Sequence, residues 1–333
     1  MRKLLRRRRA LHWGGLCLLL VCAAGNVRAR TVWIDTDLSI GSPFREVDDA
    51  YALLLAFRSP ELRVAGLSST YGNAPLLATT RRARDLVARL DLTTPVHPGA
   101  ASARDLGRAS AASEALYLAL RKERLTYVAL GPLTNLATFL QLHPGAAERF
   151  EQIIMVAGRS PEATLGFGPQ EKFRIHDANF VKDPAAMRIV LQARVPILLA
   201  PIETSSRLLL TAEDLRTLRA SGPVGRFVAD KSSWWLWFWR NIARARGGPI
   251  FDALAVVAAA RPAFLTIQTR YLALEDGDLI AHREPDPARR KVEFCSGFAS
   301  TRKREPVAPA SDRSGYGNGF GPLLRLEGKA QAD

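Results

Sequence analysis

Cysteine is nearly absent from this chain: Cys17, Cys22 and Cys295 are the three in 333 residues. The first two fall in an N-terminal segment that reads as removable, so a single cysteine remains and no internal disulfide can staple the fold. Histidine is also scarce. His12, His97, His143, His176 and His282 follow no metal-ligand spacing, which argues against zinc. Neither a G-x-G-x-x-G nor a P-loop pattern occurs, so dinucleotide and nucleoside-triphosphate binding are not expected. Acidic residues are outnumbered, 32 against 47 Lys and Arg, for a net charge of +15. Eight of those cations lie in residues 1–30 without one acid, leaving +7 for the rest. So mild an excess over a large domain gives no reason to expect a nucleic-acid polymer as partner. Hydrophobic residues at 47% exclude a disordered or collagen-like chain. Past the N-terminal segment no apolar run is long enough to cross a bilayer.

That segment is itself informative. Arg2–Arg9 is basic, Leu11–Ala24 is a short apolar stretch, and Val27-Arg28-Ala29 offers a cleavage site. Residues 1–29 are therefore expected to be a signal peptide cleaved near Ala29, with the mature protein periplasmic or secreted. The arginine pairs leave both the general and the twin-arginine export routes open.

From residue 30 the pattern predicts one domain to residue 333, with residues from about 300 forming a loop-rich tail. Thr31–Ile34, Leu62–Ser69, Thr126–Leu130, Ile153–Ala157 and Val195–Ile202 read as strands buried on both faces. Helical patterns at Asp49–Phe57, Pro75–Leu90, Leu133–Leu142, Pro184–Ala193 and Thr211–Ala220 alternate with them. Such alternation predicts an α/β fold: a mostly parallel, twisted sheet with helices on both faces and a Rossmann-like core.

In such folds ligands bind beyond the carboxyl ends of the strands, and unusual polar residues collect there. The first strand runs into Asp35-Thr36-Asp37, the second into Gly72-Asn73, a third into Gly131-Pro132-Leu133-Thr134-Asn135. Asp177-Ala178-Asn179 follows a fourth, and Asp252 opens an apolar helix. Each aspartate could singly be a helix N-cap. Jointly, Asp37, Asp48, Asp49 and Asp252 are four like charges beside apolar sequence, which asks for a cation. An all-oxygen donor set selects a hard ion, Ca²⁺ or Mg²⁺.

These motifs resemble the inosine–uridine nucleoside hydrolase family. The family's Asp-x-Asp, Asp-Asp-Ala-x-Ala-Leu, Gly-Asn and Gly-Pro-Leu-Thr-Asn are matched by Asp35–Asp37, Asp48–Leu53, Gly72-Asn73 and Gly131–Asn135. Asp177-Ala178-Asn179 with Asp183-Pro184, and Phe251–Val256, resemble its two later motifs. The resemblance implies hydrolysis of the N-glycosidic bond of ribonucleosides to ribose and free base, with Ca²⁺ as cofactor and a homo-oligomeric enzyme. It implies that Asp37, Asp49, the Thr134 carbonyl and Asp252 hold the ion, and that Asp37 is the general base. Asp48, Asn73, Asp177 and Asn179 would bind the ribose.

Three departures stand out. Leu38–Val47 is longer than the family's link between the first two motifs, Phe251 replaces a leaving-group histidine, and Asp177 and Glu171 replace a glutamate and an asparagine. Trp235 or Trp239, in an aromatic helix just before Asp252, would then stack the nucleobase, and purine ribonucleosides would be hydrolysed better than uridine. His176 is the one histidine near the proposed site, and a structural role is expected for it. Two other functions compete: a ribonucleoside-binding relative without efficient catalysis, and a haloacid-dehalogenase-type phosphatase, since Asp35-Thr36-Asp37-Leu38-Ser39 imitates that nucleophile motif.

Overall fold

The computed structural model describes residues 29–167, 173–275 and 277–299. Nearly all of the expected signal peptide, the C-terminal tail and Glu171 lie outside them. In chain order the elements are β1 (Arg30–Thr36), α1 (Asp48–Arg58), β2 (Leu62–Ser69), α2 (Leu76–Arg89), β3 (Val96–Pro98), α3 (Ala111–Lys122), β4 (Leu125–Ala129) and α4 (Thr134–Leu142). There follow β5 (Phe150–Val156), β6 (Leu165–Phe167), β7 (Phe173–Ile175), α5 (Ala178–Lys182), α6 (Pro184–Gln192), β8 (Ile197–Ala200), α7 (Ile202–Ser205), β9 (Leu209–Leu210) and α8 (Ala212–Ala220). The chain ends in α9 (Pro223–Asn241), β10 (Gly248–Pro249), α10 (Ala253–Ala260), β11 (Leu265–Glu275), β12 (Asp278–His282) and β13 (Arg290–Phe298).

Nine strands form one sheet in the order β12-β11-β13-β8-β5-β4-β1-β2-β3. From β13 to β3 every pairing is parallel. β11 runs antiparallel to both of its neighbours. Successive residues of the central strands point to opposite faces, and both faces are covered. Val32, Ile34, Ile154 and Leu198 belong to one apolar cluster with α1 and α10. Trp33, Ile153, Met155 and Leu199 belong to the other, with α4 and α6. This is why the strands read as continuous apolar runs rather than as alternating ones.

The chain leaves β1 for β2 and β3 on one side, then returns to place β4 on the other. The reversal at β1 and β4 opens a crevice at their carboxyl ends, the switch point at which doubly wound sheets bind ligands. Among the described residues no helix is long and apolar enough to cross a membrane.

Candidate active site

Asp37 leaves the end of β1 fully buried. One of its oxygens accepts the Asn73 backbone N–H at 2.7 Å, and the other accepts the Asn73 amide at 3.4 Å. The two motif glycines make this possible. A Cβ on Gly72, whose φ is +150°, would stand 1.9 Å from Asp37 Oδ2, and one on Gly131 would stand 3.2 Å from Asp37 Cγ. Both loops pass so close that only glycine fits at position 72.

Asp48 and Asp49 form the first turn of α1, and Asp252 stands immediately before α10. Carboxylate oxygens of the three lie within 4.8 Å of one another. The Thr36 hydroxyl donates to Asp49. Burial is the largest influence on all four carboxyls and raises each above the ordinary carboxylate range. Asp49 is pushed up to about 6, with the Thr36 bond working against burial. For Asp37 the neighbouring Asp49 charge adds to burial, while Lys182 opposes it. Asp48 Oδ1 and Asp49 Oδ2 are buried and accept no hydrogen bond among the described residues. Unpaired buried carboxylate oxygens facing like charges are costly unless something positive satisfies them. The donor set is all oxygen, so the residues fit a hard divalent cation.

Thr134 begins α4, and its hydroxyl donates to Asp183 at 2.6 Å. Asp183 in turn caps α6 by accepting the Ala186 N–H. The motif residue Asn135 has a structural task. It donates to Asp35 at 2.8 Å and accepts the Ala100 N–H at 2.7 Å, tying the ends of β1 and β3 together. Asp35 also accepts from Ser68 at 2.5 Å. It lies in this buried network and not on the cleft, so it is no phosphatase nucleophile.

A cleft opens beside the carboxylates, lined by Asp48, Asn73, Asp177, Asn179, Phe251 and Asp252, and also by Glu46, His176, Leu130, Val156, Ala178 and Ile202. Asn179 spends its amide N–H groups on the Leu130 and Val156 carbonyls at 2.8 and 3.1 Å, which leaves its side-chain oxygen for a ligand. Asp177 is engaged differently. Both its oxygens accept backbone N–H groups, from Gly158 at 2.8 Å and from Asn179 and Phe180 at 3.1 and 3.0 Å. Its short side chain is thus a helix cap in the cleft wall.

Trp235 and Trp239 are not where nucleobase stacking requires them. Both are buried in the core, with the Trp235 indole N–H donated to the Pro249 carbonyl at 2.9 Å. Four residues apart on α9, they share its inward face. Trp239 meets Phe251 edge-on at 6.3 Å, so Phe251 is the ring presented to the cleft. His176, for which a structural role is expected, has a side chain that is 69% exposed and lines the cleft. Cys295 is buried, and burial pushes its thiol up to about 12, as expected for an inert residue.

Sequence reasoning missed Glu46 and Lys182. Glu46 comes from the long loop 38–47. Lys182 ends α5 and sets its ammonium 3.9 Å from Asp37 and 3.4 Å from the Asn73 side-chain oxygen. Its place one residue before the Asp183-Pro184 motif could have drawn attention to it.

The model of the inosine-uridine preferring nucleoside hydrolases matches residues 32–302. A pyrimidine-specific ribonucleoside hydrolase, RihA of Citrobacter koseri, is 29% identical, covering 68% of this chain and 80% of that protein. RihA of Salmonella typhimurium is 27% identical, covering 68% of this chain and 81% of its own length. Among solved structures, a purine-preferring ribonucleoside hydrolase from Gardnerella vaginalis superposes with a TM-score of 0.68 at 22% identity, over 81% of this chain and 94% of that one. A plant nucleoside hydrolase, PpNRh1, gives 0.66 at 24% identity, over 82% and 95%. With its match spanning every element from β1 to β13, the chain belongs to the inosine-uridine preferring nucleoside hydrolase family.

Proposed function

We propose that this chain hydrolyses the N-glycosidic bond of ribonucleosides with a water molecule activated by Asp37, at a site built to hold Ca²⁺. The observation that carries this reading is the buried cluster of Asp48, Asp49 and Asp252 beside buried Asp37, in which Asp48 Oδ1 and Asp49 Oδ2 have no hydrogen-bond partner among the described residues. Asp49, Asp252, Asp37 and the Thr134 carbonyl would hold the cation, with Asp48 close enough to Asp49 and Asp252 to share in it. When bound, Ca²⁺ orients the ribose diol and lowers the pKa of water.

The chain's own residues supply the rest. Asn73 holds Asp37 through two hydrogen bonds, fixing the carboxylate that takes the proton of the attacking water. Asn179, locked by two strand carbonyls, and Asn73 offer polar groups to the ribose hydroxyls. Breaking the bond builds positive charge on the sugar ring, which nearby carboxylates stabilise without reorganising. Phe251 gives the departing base an apolar edge.

The test is reducing-sugar release from a panel of ribonucleosides, with and without chelator, beside phosphate release from nucleotides. Cation-dependent ribose release is expected. Saturable binding without release would identify a non-hydrolytic relative, and phosphate release would sink the reading. The basic, apolar and V-x-A segments of residues 1–29 support an exported protein. N-terminal sequencing of the exported chain should begin near Arg30, and an intact Met1 would contradict export by cleavage.

A further inference from the structure

Cleaving an N-glycosidic bond leaves its electron pair on the base, which departs far more readily if a proton arrives with it. Asp37, Asp48, Asp49 and Asp252 are committed to water and cation, and Phe251 has no proton to give. We propose that His176 delivers this proton, an inference that rests on the hydrolytic reading above. His176 is the one imidazole lining the cleft among the described residues. It lies between β7 and the Asp177 cap of α5, next to a residue of the same cleft wall.

A charged neighbour outside the cleft faces its ring. Nδ1 is 3.6 Å from Asp278 Oδ1 at the start of β12. Asp278 is itself held by Arg159, whose Nη2 and Nε donate to Oδ2 at 2.9 and 3.2 Å. An imidazole whose one nitrogen faces a clamped carboxylate keeps the other for proton transfer, the arrangement by which an acid–base histidine is generally oriented. The charged groups around it are Asp278 with Arg159 held to it, the adjacent Asp177 that caps α5, and Glu46, Asp48 and Asp252 in the cleft lining.

The step balances without further reactants. The C1′–N bond breaks and its electron pair goes to the base. The Nε2 proton of His176 passes to the base as water oxygen bonds to C1′ and the water's proton goes to Asp37. Solvent then returns a proton to His176 and removes one from Asp37, leaving ribose and free base. This assignment removes the reason for expecting uridine to be a poor substrate, because a donor is present in the cleft.

The discriminating experiment uses the cation-loaded enzyme and two kinds of substrate. Uridine and inosine need a proton on the leaving group, whereas 4-nitrophenyl β-ribofuranoside releases a phenolate that does not. In His176→Gln and His176→Ala, kcat on the nucleosides is expected to fall by about 10²–10⁴-fold while kcat on the nitrophenyl riboside stays within about twofold. Added imidazole should restore part of the nucleoside activity of the alanine variant. Asp278→Asn, which leaves the imidazole in place, should show the same split to a smaller degree. Equal losses on both substrate kinds would make His176 a structural residue and overturn the proposal. So would unchanged nucleoside turnover, or the same split appearing in Glu46→Gln instead. A wild-type enzyme that cleaves the nitrophenyl riboside but neither nucleoside overturns the donor and the N-glycosidic reading together, whereas equal losses in the variants of an enzyme active on both overturn the donor alone. One that cleaves neither kind of substrate overturns the hydrolytic reading, and the donor with it.

Discussion

Lys182 brings a fixed positive charge to within 3.9 Å of Asp37, the carboxylate that a divalent cation would share. Its side chain is 25% exposed, so solvent screens part of the interaction. Lys182→Met is expected to tighten Ca²⁺ binding about three- to tenfold by titration calorimetry. Unchanged affinity would mean that the ammonium swings away when the cation enters. Asp37→Ala and Asp49→Ala should each lower ribose release by at least about 10²-fold and abolish tight Ca²⁺ binding. Full turnover in Asp37→Ala would end the mechanistic reading. At this scale the sequence was partly legible. Asp37, Asp48, Asp49 and Asp252 announced themselves because four acids beside apolar sequence violate ordinary burial preferences. Glu46 and Lys182 did not, since a lone charge in a loop or at a helix end reads as solvated until the fold carries it inward. Asp177 reads as a ribose ligand by its spacing, with a side chain one methylene shorter than the family's glutamate. In the structure that carboxylate lines the cleft and caps its own helix.

Among the elements, β1 and β2 meet at an irregularity between Val32 and Trp33, where Trp33 lies opposite Gly66. The indole fills the space a side chain would occupy: a Cβ on Gly66 would stand 2.6 Å from the Trp33 ring. The ring is anchored by its N–H to Ser68 at 3.0 Å. Gly66→Ala must therefore push Trp33 off its seat, at a cost of about 1–3 kcal/mol in chemical denaturation. A variant as stable as the parent would show that β2 can shift instead. The parallel strands were legible because burial on both faces leaves continuous apolar runs, and Leu62–Ser69 was bounded to the residue. The antiparallel extension was not. β11 is half exposed and carries Arg270, buried over Phe294, so its pattern suggests neither strand nor core. The antiparallel pair β6 and β7 was missed as well, each strand being too short for periodicity to register.

For the whole molecule, buried carboxylates link stability to pH and cation. Burial pushes Asp35 up to about 6, against the hydrogen bonds from Ser68 and Asn135, and Asp49 reaches about 6 as well. A raised folded-state value means that the fold favours the protonated form. The stability is full below the ordinary value of 3.8 and is lost as pH rises through about 6. For Asp35 alone the shift corresponds to about 3 kcal/mol. The chelated protein should accordingly be less stable at neutral pH than at about pH 4.5 in denaturant titrations. Ca²⁺ should restore the Asp49 part at neutral pH, and Asp35→Asn should remove the part that Ca²⁺ leaves. A metal-free protein equally stable at both pH values would contradict this coupling.

The strand order also governs how the chain can be assembled. β1 pairs with β4, nearly a hundred residues later, and β8 waits for β13 at the far end of the fold. Contacts between such distant segments form slowly, because the loops must close before pairing rewards them. Until Arg290–Phe298 arrives, one edge of β8 stays open, and Ile197–Ala200 is apolar on both sides. An open, apolar edge is a template for another chain. Shortening the protein from its C-terminus past Arg290 should therefore yield aggregates rather than a weakened enzyme.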